Sequence, residues 1–89
     1  MIAVWMSIDE ERLVPALQAA GEKLERTTGE AALDFSSVRR LDASALRALE
    51  DLARIADEKA VKVVLRGVNV DVYKVLTLVK LTSRFSFVN

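Results

Sequence analysis

Ser44 is the side chain best placed to carry chemistry in this sequence. It follows Asp42 by two positions, at the head of a strongly helical run from Ala43 to about Lys59. Asp42 stands just before that run and reads as its N-cap, its carboxylate accepting from the free amides of the first turn. Counted from the cap, Ser44 is the second helical residue, with its hydroxyl at the positive helix end and in solvent. Serine also occurs in first turns for structural reasons alone, because its short polar side chain competes well there. A phosphate on Ser44 would add about −1.5 to −2 charges where a helix tolerates them. The fold would survive while its surface changed sign, and a partner packed on this turn would meet a dianion. Arg39 and Arg40, just upstream, are placed to pair with that phosphate or with an acidic partner, or to stand as ordinary loop charges.

Other chemistries can be argued down. The chain has neither histidine nor cysteine. The commonest general base, the thiol nucleophile and the usual zinc ligands are therefore missing. No base stands beside a serine at a spacing that implies nucleophilic catalysis. Asp34 and Asp42, eight positions apart, could hold Mg²⁺, but one turn-former and one helix cap is the simpler account. The acidic run Asp9-Glu10-Glu11 reads as a solvated helix start. Gly21, Gly29 and Gly67 are isolated, so no phosphate-cradling loop forms. The expectation is a non-enzyme with no cofactor and no metal. A small enzyme or nucleotide-binding domain would have to draw on Asp34, Ser36, Ser37 and Asn69 at the strand ends.

The elements that position Ser44 follow from periodicity. Ala31 to Phe35 is short, mostly apolar and bounded by polar residues, as in a central strand covered on both faces. Ser36 and Ser37 turn the chain, and the lone apolar Leu41 tucks the connection back onto the core. In the helix that follows, Leu46, Leu49, Ala53 and Ala56 share the core face. Arg47, Glu50, Asp51, Arg54, Asp57 and Glu58 make its wet side, with Arg47–Asp51 and Glu50–Arg54 four apart and opposite in sign.

Upstream, Ile2 to Met6 is a candidate strand. Ser7 and Glu10 have capping-box spacing, and a helix spans about Asp9 to Arg26 with Leu13, Leu17, Ala20 and Leu24 on one face. Pro15 inside it would cost about 3 kcal/mol. The better arrangement is a loose turn through Glu11 and a regular helix from near Val14, with Pro15 in its first turn. Downstream, Val61 to Arg66 is a third strand broken by Gly67. Asn69 caps a last helix with Val72, Val75, Leu76 and Val79, ending near Lys80. Ser83 to Val88 is a fourth strand with Phe85 and Phe87 on one side. A helix between every pair of strands argues an α/β sandwich in one domain, 1–89: a four-stranded, mostly parallel core sheet with three helices.

Composition agrees with a small globular domain. Apolar residues make 52% of the 89, enough for a core. Thirteen basic and thirteen acidic side chains cancel, and without a Lys/Arg cluster no nucleic-acid partner is expected. No apolar stretch approaches the roughly 18 residues of a membrane span, so the expectation is a cytoplasmic domain without direct membrane insertion. Trp5, or Phe85 with Phe87, could make a homodimer contact; the competing reading is that these rings fill the core.

Leu33-Asp34-Phe35-Ser36, the hydrophobes Val38 and Leu41, and Asp42-Ala43-Ser44-Ala45 together resemble the STAS domain of bacterial anti-sigma-factor antagonists. Val63 to Asn69 resembles that family's later strand and its Gly-Val turn, and Val72, Leu76 and Leu81 fit its last helix. The likeness covers roughly residues 30 to 88. It implies a phosphoprotein in the regulation of transcription, with Ser44 at the position phosphorylated by the cognate anti-sigma-factor kinase. The partner would touch Arg39, Arg40, Asp42, Ala43, Ser44, Ala45 and Arg47. Two positions depart from the family pattern: Ala43 replaces its first hydroxyl and Ala45 its glycine. Gly67-Val68-Asn69 with Val72-Tyr73 also resembles the small STAS subunit of bacterial phospholipid-transport ABC complexes. On that alternative the same surface docks on an ATPase.

Overall fold

The computed structural model describes residues 2–88. Four parallel strands alternate with three helices: β1 (Ile2–Ser7), α1 (Leu13–Leu24), β2 (Glu30–Asp34), α2 (Ala43–Lys59), β3 (Lys62–Arg66), α3 (Val70–Leu78) and β4 (Ser86–Val88). Short 3-10 turns at Glu10–Arg12 and Thr82–Arg84 lead into α1 and β4. The sheet order is β1-β2-β3-β4, and every pairing is parallel. Three crossovers that each step one strand the same way, with the same right-handed sense, place all three helices on one face.

The core lies between that face and the helices. Ala31, Leu33, Val63 and Leu65 of the central strands are at most 2% exposed and pack with Leu17, Leu24, Leu49, Leu52 and Leu76. Their neighbours along the strands, Ala32 and Val64, point the other way and lie outside that cluster. The expected central strand covered on both faces is β2, with Ala31, Ala32 and Leu33 all at most 1% exposed, although helices lie on one face only. The second face is shielded by side chains only. The Arg66 guanidinium stands 5.5 Å from the centre of the Trp5 ring. Since β2 lies between β1 and β3, this pair roofs the small Ala32 beneath it. Trp5 is itself 51% exposed, so the core-filling reading fails for it. Phe85, 7% exposed, does fill the core, and Phe87 packs against the core's edge.

Local departures have local reasons. Ser7 ends β1 and caps nothing. Asp9 caps the first 3-10 turn instead, accepting from the Glu11 amide at 3.0 Å. Pro15 is the third residue of α1, where no intrahelical donor is lost. On α2, Leu46 is half-buried while Ala45 and Leu52 are fully buried. Arg54 pairs with Asp51 and Glu58 at 3.8 and 3.3 Å, replacing the expected Arg47–Asp51 and Glu50–Arg54 pairs. All these groups are exposed, so the exchange carries little energy.

Leu65 is 0% exposed on the central strand β3. Leu65→Ala is expected to lower the unfolding free energy by about 2–5 kcal/mol, read as a fall in urea midpoint at unchanged slope.

Candidate functional site

The connection 35–42 between β2 and α2 is held from four directions. At its start, the Phe35 amide continues the ladder by donating to the Arg66 carbonyl at 2.8 Å. The Asp34 carboxylate then accepts from the Ser36 amide at 2.9 Å, which makes the turn. Ser37 donates its hydroxyl to the Ile8 carbonyl at 2.8 Å, tying the turn to the end of β1. Val38 drops into the core at 1% exposure, doing most of the tucking assigned to Leu41, which stays half-buried.

Two further ties come from residues that read as helix-end formers. The Glu10 carboxylate accepts from the backbone amides of both Arg39 and Arg40, at 2.5 and 3.2 Å. Asn69 caps α3 by accepting from the Val72 amide at 2.7 Å. Its amide nitrogen also donates to the carbonyls of Val38 and Arg39, at 3.3 and 3.4 Å. One asparagine thus fixes the start of α3 and the loop before α2 together. Gly67 allows this close approach. It sits at φ +73°, and a Cβ there would stand 3.0 Å from the Ser36 Cβ.

Asp42 is the N-cap of α2, its carboxylate accepting from the Ala45 amide at 2.8 Å. Ala43 and Ser44 are the first two helical residues and both are exposed. Arg47 lines a groove with Ser44, and Arg39 and Arg40 precede the cap; all three are exposed, and none is in an ion pair among the described residues. Ala45 differs from the rest: it is 0% exposed. Facing the core, it offers a partner no surface, and the expectation of a contact there is corrected. The methyl that replaces the family's glycine points inward.

Two grooves flank this helix start, one bordered by Ser44 and the other by Asp42. One, about 440 Å³, runs between α1 and α2 over Gly21 and Ile55, with Ser44 and Arg47 at its rim. The other, about 740 Å³, lies between the 3-10 turn at Glu10–Arg12 and the loop Arg39–Asp42. Sequence reasoning missed both, along with the role of Glu10. Its only signal was an acidic residue ahead of a helix, which has a nearer explanation. The two candidate Mg²⁺ ligands each serve a nearby amide, Asp34 that of Ser36 and Asp42 that of Ala45.

The chain matches the family profile described as "Mlab, STAS domain" over residues 8–87. It belongs to the STAS domain family. Among solved structures it is similar to a Thermotoga maritima protein assigned as an anti-sigma factor antagonist, with a TM-score of 0.74 at 16% identity. The match covers 94% of this chain and 73% of the other. No curated protein gives a significant match. This STAS domain therefore has the fold of that antagonist and carries Asp42 and Ser44 at the head of its second helix.

Removing the Glu10 carboxylate frees two loop amides at once. Glu10→Ala is expected to cost about 1–2 kcal/mol and to speed hydrogen exchange at Arg39 and Arg40 while leaving that of β3 unchanged.

The Asp34 carboxyl is held below its ordinary value of 3.8, chiefly by hydrogen bonds from the side chain and amide of Ser36, helped by the charge of Arg66. A lowered native value makes a contribution that is fully present above the ordinary value and lost as pH falls through the lowered one. Wild type is expected to be the more stable of wild type and Asp34→Asn above pH 4, with their urea midpoints converging in stronger acid.

Proposed function

We propose that this STAS domain is a non-catalytic regulatory module of the cytoplasm. A partner kinase or anti-sigma factor docks on the head of α2, and phosphorylation of Ser44 switches the docking off. The observation that carries this reading is an exposed hydroxyl at the second position of α2, on a turn braced by Glu10, Asn69 and Ser37. A braced turn presents the hydroxyl in one geometry, so a phosphate there changes charge without changing shape. The helix end and the guanidinium groups of Arg39, Arg40 and Arg47 offset the added charge, against the opposing carboxylate of Asp42. Neither histidine nor cysteine is available for catalysis, and the carboxylates of Asp34 and Asp42 are engaged by backbone amides.

A second reading draws on the outer face of α3. Val70, Tyr73 and Leu78 are 69%, 46% and 80% exposed there. The Tyr73 ring meets Phe87 edge-on at 5.1 Å, extending this apolar surface to β4. Asn69 links the face to the Ser44 turn, so both can meet one partner. An apolar face of this kind suits permanent assembly better than a reversible switch, and favours docking on the ATPase of a phospholipid-transport ABC complex.

The test is incubation with ATP and any anti-sigma-factor kinase found encoded beside this chain. A mass gain of one phosphate, absent in Ser44→Ala, is the expected result. Ser44→Asp is expected to stay within about 1 kcal/mol of wild-type stability yet lose the kinase. No phosphorylation, with stable co-purification of a neighbouring ABC ATPase that Leu78→Asp abolishes, would replace the first reading by the second.

A further inference from the structure

The larger groove beside the head of α2 has an uneven chemistry. It measures about 740 Å³ and lies between the entry to α1 and the loop before α2, which is room for several side chains rather than a single ion. Leu13, Val14 and Leu41 line it, each half-buried. Leu13 and Leu41 also pack against the core, which fixes this apolar bed in place.

The guanidinium groups of Arg12, Arg39 and Arg40 line the same groove, all exposed and in no ion pair among the described residues. Its carboxylates are differently placed. Glu10 accepts from the amides of Arg39 and Arg40, and Asp42 accepts from the amide of Ala45. Pinned by these bonds, neither follows an arginine side chain. Glu11 is the third acid and is exposed. Formal charges cancel, but hydrogen-bonding capacity does not, because each guanidinium offers five N–H donors and no acceptor. What the groove has to spare is donors.

We infer that this groove takes an acidic peptide segment, carrying aliphatic side chains, of the protein that docks on the head of α2. The aliphatic side chains seat on Leu13, Val14 and Leu41. The carboxylates meet Arg12, Arg39 and Arg40 in charge-assisted hydrogen bonds, the stronger class. A basic segment would meet three like charges, with two of the three acids already engaged. The inference rests on the reading of the α2 head as a docking surface, and it gives the switch a physical cause. Asp42 lines the groove, and Ser44 is two peptide units further on, at most about 7.6 Å between Cα atoms. A phosphate on Ser44 sets about −1.5 to −2 charges there, within a Debye length of the bound carboxylates. It repels them and competes for the same guanidinium groups.

Random dodecapeptides displayed on phage and selected on the immobilised 89-residue chain test this without any kinase. Selected sequences are expected to be rich in Asp and Glu around Leu, Ile or Val. A synthetic selected peptide, added to isotope-labelled protein, should shift the amide resonances of Arg12 to Val14 and of Arg39 to Leu41. Arg12→Ala combined with Arg40→Ala should weaken its binding by about tenfold, since the backbone amides that Glu10 holds remain. Lys23→Ala combined with Arg26→Ala removes the same charge away from the groove and should leave the affinity unchanged. Ser44→Asp should weaken it. Should the first double variant fail to fold, the shift map on the wild-type chain decides. Selection of basic or uncharged peptides, shifts centred on Val70, Tyr73 and Leu78, or equal weakening by the two double variants would overturn the inference. An affinity that Ser44→Asp leaves unchanged would overturn the groove's part in the switch. Failure of Ser44 to be phosphorylated leaves the peptide results standing, and failure of the peptide results leaves the phosphorylation test standing.

Discussion

A carboxylate and a carboxamide, Glu10 and Asn69, grip the loop before α2 from opposite sides. Glu10 takes two of its amides and Asn69 two of its carbonyls. Backbone groups in an exposed loop are otherwise satisfied by water, which fixes no geometry. Here they are spent on side chains anchored to α1's entry turn and to α3. The loop is therefore tied to two elements other than the strand and helix it joins. The exposure of Ser44 on a fixed turn, which the functional reading needs, depends on this grip more than on the helix cap.

A second constraint is the consecutive strand order. It puts every helix on one face and leaves the other side of a parallel sheet without helices, whereas parallel sheets usually have them on both faces. The chain manages this with small residues in the middle and long ones around them. Ala32 and Val64 are 1% and 6% exposed because Trp5 and Arg66 arch over the sheet. The same order gathers the C-terminal ends of all four strands at one end of the molecule. There the loops after β2 and β3 meet, and Gly67 lets them approach. One end of the domain thus carries the Ser44 turn and the start of α3, while β1 forms one side edge.

Much of this was legible in the sequence. Asp42 as N-cap, Ser44 as second helical residue, Asn69 as N-cap and Pro15 in a first turn are decisions made within three or four residues. Capping and helical periodicity operate over that range, so neighbours in the chain suffice to read them. The alternation of elements narrowed the topology to a parallel sheet in the same way. Boundaries moved by up to three residues at element ends. The strand expected at Ser83–Val88 begins at Ser86, because residues 82–84 form a 3-10 turn before Phe85 enters the core.

What the sequence could not decide were contacts between residues about 30 positions apart. Glu10 looks like a helix-start acid, and only the docking of its turn against the loop gives it the amides of Arg39 and Arg40. Ala45 looks like a surface position beside Ser44, yet the rotation of α2 on the sheet turns it fully inward. Trp5 looks like a core residue by type, and the one-sided layering leaves it half in solvent. The chain alone determined the local elements and the hydroxyl at the head of α2, because those follow from hydrogen bonds within a single turn. Only the tertiary structure decided which backbone groups hold that turn still and which face goes without helices, because both depend on how separate elements pack.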